Sequence, residues 1–595
     1  MPESEVYDCP RLQHDAAVAA ATADVGVVAS LLREEEKRDA FEEFYRITLA
    51  AIQAYAQQRN RELLRLQPGR NSLMFAQTSS DDTVISLLVW AGIIAVVYYR
   101  RKWRPSGTAF GIARWCSVKD LKKAGMLAGR GLVLGRTLKS GELIQLPNYT
   151  HTLLVGPTGG GKGVSIIIPN ALKYSAGSMV LFDCKGDLFD TTAEHRQRMT
   201  NRIIRLSPFN GGSDGFNVLD TIPINSPMLV DSARALACAI VVNAEQSSAD
   251  PHWNDRATMV ITAIIVFVLV SLRGAQRNLN SVQDIASDPE MVRAVAEKLR
   301  AMSGVRERLG NQLKILFDKD GALSKEGAGV FSTVSRHLAF LDSELVARAI
   351  SHSTFDISEL LKGGLTVYLQ IPPDQLEAQK GLLRLWISTW IREIGVSGGE
   401  HRGEVLFLLD EASALGNLPA LEEALVRGRS AGVRLLLAYQ SDAQVRAAFK
   451  DKETLLYDNC ATQVWLAPTS IETADRMSKS IGDYTQIVDS YGTNYSLSWQ
   501  DVSQNGNNYS RGNNMNYAQQ GRNLIRPEEL LTMNDDNLIV FQRGLSPLIA
   551  RRVLWYSENW FNPNLPKLQW RTMPWKWWAV AVIALYIIVM LLRRK

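Results

Sequence analysis

Thr152-Leu153-Leu154-Val155-Gly156-Pro157-Thr158-Gly159-Gly160-Gly161-Lys162-Gly163-Val164-Ser165-Ile166-Ile167-Ile168 decides the fold of this chain. The run ahead of Gly156 is largely apolar and reads as a buried parallel strand, and the residues after Gly163 suit the start of a helix. Between them, glycines let successive backbone N–H groups curl around phosphate oxygens. The helix N-terminus adds its partial positive charge and Lys162 adds a full one. This order predicts a nucleoside triphosphate site built from Gly156, Pro157, Thr158, Gly159, Gly160, Gly161, Lys162, Gly163 and Val164. A plain flexible turn is the alternative, but the lysine at the required offset and the correct flanks speak against it. Gly163 stands where such loops carry the Ser or Thr that ligates magnesium.

The rest of the chain extends the same α/β pattern. Ser178-Met179-Val180-Leu181-Phe182 reads as a second strand ending at Asp183-Cys184-Lys185-Gly186-Asp187. Ligand groups sit past the carboxyl ends of parallel strands, so Asp183 and Lys185 are expected near the nucleotide. Strand signals then vanish, and helical periodicity takes over in 228–242, 252–273, 288–302, 306–317 and 329–341. Strands resume at 365–371, 405–409, 434–439, 463–467 and 538–541. The expected organisation is a helical region over 1–82, a transmembrane helix over 83–99, a nucleotide-binding domain in two parts (105–226 and 365–560) around an all-α domain (227–364), and a hydrophobic segment over 577–592. Residues 490–522, rich in Asn, Ser, Gly and Gln, cannot bury a core and are expected to form a mobile loop.

Composition excludes several classes. A chain of 595 residues needs more than one core, and a net charge of +5 is no global signature of nucleic-acid binding. DNA contact would therefore come from local patches. Five scattered cysteines with no CxxC pair argue against structural zinc and a disulfide framework. Residues 83–99 are nearly all apolar and uncharged, close to the ~17-residue lower limit for crossing a bilayer. Tyr98 and Tyr99 end the segment, Arg100, Arg101, Lys102 and Arg104 follow it, and the positive-inside rule then puts the rest in the cytoplasm. Residues 259–272 are shorter and read as a core helix. Residues 577–592 look like a second membrane segment, with basic residues on both sides and no charge-set orientation; a surface helix is the alternative.

Asp410-Glu411, closing an apolar strand, supplies the acids of a phosphate-loop ATPase. Asp410 would hold Mg²⁺ directly or through water, and Glu411 would polarise the attacking water. Two readings are open for Gln440 at the next strand end: a group that senses the γ-phosphate or positions water, or a capping or turn residue. Arg427 and Arg429 link the Asp410 strand to the next one; an arginine there could reach a neighbouring subunit's site, although surface arginines are usually only solvated. With Gly at 163, Mg²⁺ would rely on Asp410, waters, and Thr158 or Ser165.

Together these stretches resemble the type IV secretion system coupling proteins, the TraG/TraD-like membrane-anchored ATPases of conjugation. The likeness rests on Gly111-Ile112-Ala113-Arg114-Trp115, Gly131-Leu132-Val133-Leu134-Gly135, the Gly156 to Gly163 loop and Leu181-Phe182-Asp183-Cys184-Lys185-Gly186-Asp187. Tyr368-Leu369-Gln370-Ile371-Pro372, Leu409-Asp410-Glu411 and Arg526-Pro527-Glu528-Glu529-Leu530 add to it, over about residues 105–560. The resemblance implies a RecA-like P-loop domain with an inserted all-α domain and a homo-hexameric ring at the bacterial inner membrane, with the ATPase domain in the cytoplasm. It implies hydrolysis of ATP with Mg²⁺, and partners comprising single-stranded DNA with its relaxase, or protein cargo, and the channel and ATPase components of the secretion system. It also places Arg429 where the family's inter-subunit arginine is expected. Two departures stand beside it: the family usually has two N-terminal membrane helices, and the C-terminal hydrophobic segment is not typical of it. The alternatives are another DNA translocase of the same motor superfamily, and a membrane scaffold that binds ATP and recruits cargo with little turnover.

Overall fold

The computed structural model describes residues 108–200, 202–212, 214–241, 251–397, 403–497 and 509–558. The expected membrane segments 83–99 and 577–592 and the region 1–82 lie outside them.

The frame is an eleven-stranded sheet. In chain order its strands are β1 (Leu132–Arg136), β2 (Leu143–Leu146), β3 (His151–Val155), β4 (Gly177–Phe182), β5 (Arg202–Leu206), β6 (Leu365–Leu369), β7 (Glu404–Leu409), β8 (Val433–Tyr439) and β9 (Thr462–Leu466). A separate ribbon, β10 (Asp483–Leu497) with β11 (Tyr509–Asn523), precedes the last two sheet strands, β12 (Asn537–Gln542) and β13 (Leu548–Arg551). The spatial order is β2-β1-β13-β12-β9-β3-β8-β7-β4-β6-β5. From β9 to β5 all neighbours are parallel. β12 runs antiparallel to β9, and β13 antiparallel to β12. Two reversals restore the direction, so β13 ends at the same edge as β3.

The strands read as near-continuous apolar runs because both faces are covered. Leu153, Val180, Phe407 and Leu435 face one core, and Leu154, Leu181, Leu408 and Leu436 the other. The second core is closed by the segment after the glycine loop. That segment begins as a π-helical turn over Gly163–Ile167 and becomes an α-helix over Ile168–Lys173. Pro169 has no N–H to give the α ladder, and the wider turn ahead of it accommodates that loss. Asn170 ties the helix to the sheet edge: its Oδ1 accepts from Val133 N at 2.7 Å, and its Nδ2 donates to Val133 O at 2.9 Å.

Between β5 and β6, from Leu229 to Lys362, the described residues hold helices and no strand of the sheet. The helix Pro251–Ser271 has mean hydropathy 1.6, apolar and long enough by composition to cross a membrane. Val260, Ile261, Ile264, Ile265 and Val268 on it are nevertheless fully buried among neighbouring helices. It is the core helix that the sequence of 259–272 predicts. Its core is continuous with the sheet: the same cluster holds Ile264, Leu236, Trp386, Trp390 and Phe407. Trp386 Nε1 also donates to Phe216 O at 3.1 Å.

Over the described parts of the mobile loop expected at 490–522, residues 490–497 and 509–522, there is a ribbon instead. β10 and β11 pair antiparallel without a register break from Asp483↔Asn523 to Leu497↔Tyr509. A two-stranded ladder pairs its inner backbone groups across the ribbon and leaves the outer ones to water, so a polar composition is compatible with it. Its base is held where Thr485 N donates to Gly111 O at 3.1 Å and Ala113 N to Asp483 O at 3.0 Å.

Candidate nucleotide-binding site

Because β3, β8, β7 and β4 are adjacent and parallel, the first residues past their carboxyl ends share one edge. These are Gly156, Gln440, Asp410 and Asp183. Adjacent strands lie about 4.8 Å apart, so groups from four distant stretches meet within side-chain reach.

The loop after β3 has the shape of a phosphate cradle. Gly159 and Gly161 have φ of 73° and 84°, in the left-handed region that glycine enters without strain. A Cβ on Gly160 would come within 2.8 Å of Pro157 O, and one on Gly156 within 2.7 Å of the Leu466 side chain. Side chains there would fill the space in which the backbone turns. Lys162 Nζ donates to Gly156 O at 2.7 Å and to Pro157 O at 3.3 Å, so the ammonium is held over the loop. Burial lowers its proton affinity, and Asp410 and Glu411 oppose that shift.

Asp410 is the counterpart. Burial raises its carboxyl to about 6 against the pull of Lys162, with the Glu411 charge pushing the same way as burial. A half-buried carboxylate of this kind gains from a nearby cation. Among the described residues no group of three or more His, Cys, Asp or Glu forms a ready-made metal cage. A magnesium ion would use Asp410 with water and phosphate oxygens, as that ion readily does. Of the two hydroxyls considered for it, Ser165 is fully buried and donates to Gly161 O at 2.7 Å, so it is committed to its own helix. Thr158 is exposed to the site. Around Gly163 there is open space: a Cβ built there meets nothing within 4 Å.

A chain of hydrogen bonds joins the loop to the acids. Thr158 Oγ1 donates to Gln440 Oε1 at 2.8 Å, and Gln440 Nε2 donates to Glu411 Oε2 at 2.9 Å. Ser413 Oγ donates to the other oxygen, Glu411 Oε1. Gln440 N donates to Gln444 Oε1 at 2.8 Å, which fixes the residue's own backbone. Gln440 thus bridges the phosphate loop and the acid, and the turn-residue reading does not account for its side chain.

Asp183 sits at this edge with its oxygens occupied. It accepts from Gly186 N at 2.8 Å, Phe189 N at 2.9 Å and Gln370 Nε2 at 3.0 Å, and so caps the helix Asp187–Thr200. Lys185 keeps the nearer electrostatic role, acting on both Lys162 and Asp410.

Arg429 is placed elsewhere. It is exposed in the turn ahead of β8, where its carbonyl accepts from Arg434 Nη1 at 2.9 Å. β8 spans about 20 Å, so Arg429 lies at the sheet edge opposite to Gln440. The structure does not bring it into this chain's own site. Arg427 is likewise exposed and pairs with Glu423 at 3.5 Å.

Sequence reasoning missed two groups. Ser413 follows Glu411 by two residues, and nothing in its neighbourhood marks it. Arg552, the first residue past β13, lies against the loop: a Cβ on Gly161 would meet its Nη1 at 2.7 Å. Its placement depends on the β12–β13 return, which the sequence does not announce.

Comparison with known proteins gives one consistent result. The family described as Type IV secretory system Conjugative DNA transfer matches residues 114–575. Protein VirD4 of Agrobacterium fabrum is 28% identical over 470 residues, 76% of this chain and 66% of that protein. The conjugal transfer protein TraG of Agrobacterium fabrum is 30% identical over 428 residues, 69% of this chain and 61% of that protein. The chain thus matches just under two thirds of the length of these relatives. Among solved structures, the bacterial conjugative coupling protein TrwBdeltaN70 superposes with a TM-score of 0.53 at 17% identity, covering 75% of this chain and 95% of that one. The plasmid coupling protein TrwB in complex with ADP and Mg²⁺ gives 0.52 at 17% identity, covering 76% and 97%. At that identity the likeness is one of fold: a RecA-like α/β domain with helices inserted between its strands.

Proposed function

This chain belongs to the Type IV secretory system conjugative DNA transfer family, and on that premise we propose that it is an inner-membrane P-loop ATPase that couples a DNA–relaxase or protein substrate to the secretion channel. The observation that carries the proposal is the bridge from Thr158 through Gln440 to Glu411. It ties the group that would sense the bound nucleotide to the group that would activate water.

The proposed mechanism follows from the residues. Lys162 gives two carbonyl oxygens the donors that phosphate oxygens, as stronger acceptors, would take over. The backbone N–H groups of Gly159, Gly161, Lys162 and Gly163 and the helix N-terminus would hold the phosphates, while the Gly160 N–H is taken by Pro157 O at 2.9 Å and keeps the loop turned. Asp410 would hold magnesium, which when bound neutralises phosphate charge and favours loss of the γ-phosphoryl group. Glu411 accepts the hydrogen bond of Gln440 on one oxygen and of Ser413 on the other, which orients the carboxylate that would polarise the attacking water. Thr158 and Gln440 would report whether a γ-phosphate is present. Arg429, on the opposite edge, would serve only a neighbouring subunit in a homo-hexameric ring. The membrane anchor, the cytoplasmic side of the ATPase and the partners (single-stranded DNA with relaxase, and the channel and ATPase components) belong to this proposal as well.

The test is DNA transfer by donor cells carrying Lys162→Ala or Glu411→Gln, with protein level and membrane location followed in the same cells. Transfer is expected to fall by orders of magnitude while the protein stays in the membrane. Normal transfer would overturn the motor reading and leave a cargo-recruiting scaffold.

A further inference from the structure

Arg552 is the residue that the nucleotide site leaves unexplained. It is the first residue beyond β13, and because β13 runs in the direction of β3, it arrives at the edge that holds Gly156, Gln440 and Asp410. Its backbone N–H is anchored on Asp536 O at 2.7 Å, which fixes where the side chain leaves the sheet. From there the guanidinium reaches the glycine loop: Nη1 lies 2.7 Å, and Cζ 3.7 Å, from the position a Cβ on Gly161 would take. The side chain is half-buried, and its Nε is fully buried with no hydrogen-bond partner among the described residues. Asp535 and Asp536 act on its charge at a distance, while burial works against it.

An arginine kept charged, partly desolvated and without a hydrogen-bond partner at Nε is costly unless an anion completes the arrangement. Sheet order says which part of a nucleotide that is. The groups for the γ-phosphate end, Asp410, Glu411 and Gln440, come from β7 and β8 on one side of β3. Arg552 comes from the other side, beyond β9 and β12. Resting on the nucleotide reading above, we propose that Arg552 binds the α- and β-phosphates of the nucleotide in cis. The fork of the guanidinium spans two oxygens where the ammonium of Lys162 offers a point charge. Nucleoside diphosphates and triphosphates are its ligands, and a γ-phosphate is not required.

The experiment is equilibrium binding of ADP and of ATP to the full chain in detergent, for the wild type, Arg552→Ala and Arg552→Lys, with melting temperatures measured without nucleotide. Arg552→Ala is expected to weaken ADP and ATP by the same factor, about 10- to 100-fold, at an unchanged melting temperature. Arg552→Lys should recover part of the loss. Wild-type affinity in Arg552→Ala overturns the proposal, as does a loss confined to ATP. A lowered melting temperature with unchanged affinity also overturns it, because the residue would then be structural. A wild-type chain that binds neither nucleotide overturns the nucleotide reading itself, and this proposal with it.

Discussion

Gln440 and Glu411 are joined by a 2.9 Å hydrogen bond from Nε2 to Oε2, although they stand at the ends of two different strands. Since the other end of the Gln440 amide accepts from Thr158, one planar group relates the phosphate loop to the acid. Rotating the amide by half a turn would set Oε1 against the Glu411 carboxylate and break that contact, whereas the Thr158 hydroxyl can accept as well as donate, so it is Glu411 that fixes the amide's orientation.

Replacing Gln440 by Glu keeps size but removes the donor and sets a carboxylate against Glu411. Replacing Glu411 by Gln keeps the shape and removes the base. Both are expected to cut ATP turnover by about 100-fold or more while leaving ATP affinity within a few-fold. Steady-state hydrolysis and equilibrium binding on the same preparation check this. Wild-type turnover in Glu411→Gln would remove that residue from the chemistry.

Gly163 has open space around it and does not need a left-handed backbone. Gly163→Ser should fold normally and gain about 0.5 kcal/mol from the lower backbone entropy of the unfolded chain. Its hydroxyl should also lower the magnesium concentration needed for half-maximal nucleotide binding by several-fold. A magnesium titration of nucleotide binding reads the second effect, and an unchanged midpoint would show that the hydroxyl does not reach the ion.

Arg429 lies on the edge opposite to Gln440, so its effect must appear in trans. Arg429→Ala should lose turnover while binding ATP normally. Mixing it with Lys162→Ala should restore part of the turnover, because an intact site then meets an intact arginine across a subunit boundary. The absence of restoration in demonstrably mixed oligomers would rule out the inter-subunit role.

His151 on β3 is buried with neither ring nitrogen bonded among the described residues, and burial, aided by the Arg434 charge, pushes its pKa down to about 4. The unfolded value is near 6.5. The folded state therefore binds fewer protons between those limits, so stability is fully present above pH ~6.5 and is lost as pH falls towards 4. The loss is on the order of 3 kcal/mol from this residue. His337, also pushed down to about 4 by burial, adds in the same direction. Chemical denaturation of His151→Leu between pH 7 and pH 4.5 should show a shallower decline than the wild type.

Much of the site was legible because parallel strands buried on both faces write themselves as apolar runs. The end of such a run marks the ligand edge, which is how Gly156, Asp410 and Gln440 could be read together. What could not be read depends on partners remote in sequence. β13 is four residues long and becomes a strand only by pairing with β1 and β12. Arg552 beside the loop was hidden with it. The bonds of Asp183 to Gly186, Phe189 and Gln370 are a matter of turn geometry, to which residue type gives no clue. The ribbon at 483–523 misled for a different reason. Asn, Ser and Gly report on burial, whereas this ribbon rests on cross-strand pairing and on the anchoring of its base to Gly111 and Ala113.

The helices between β5 and β6 share one buried cluster with the sheet, reaching from Ile264 through Trp390 to Phe407, two positions before Leu409. A piece of protein with its own core can swing on a hinge; one that lends its side chains to a common interior cannot move without dragging its neighbour. Any displacement of the strand that carries Asp410 and Glu411 is therefore passed to the helices as a push through packed rings. The helical part is thus packed, through Trp390 and Phe407, onto the strand that leads to Asp410 and Glu411.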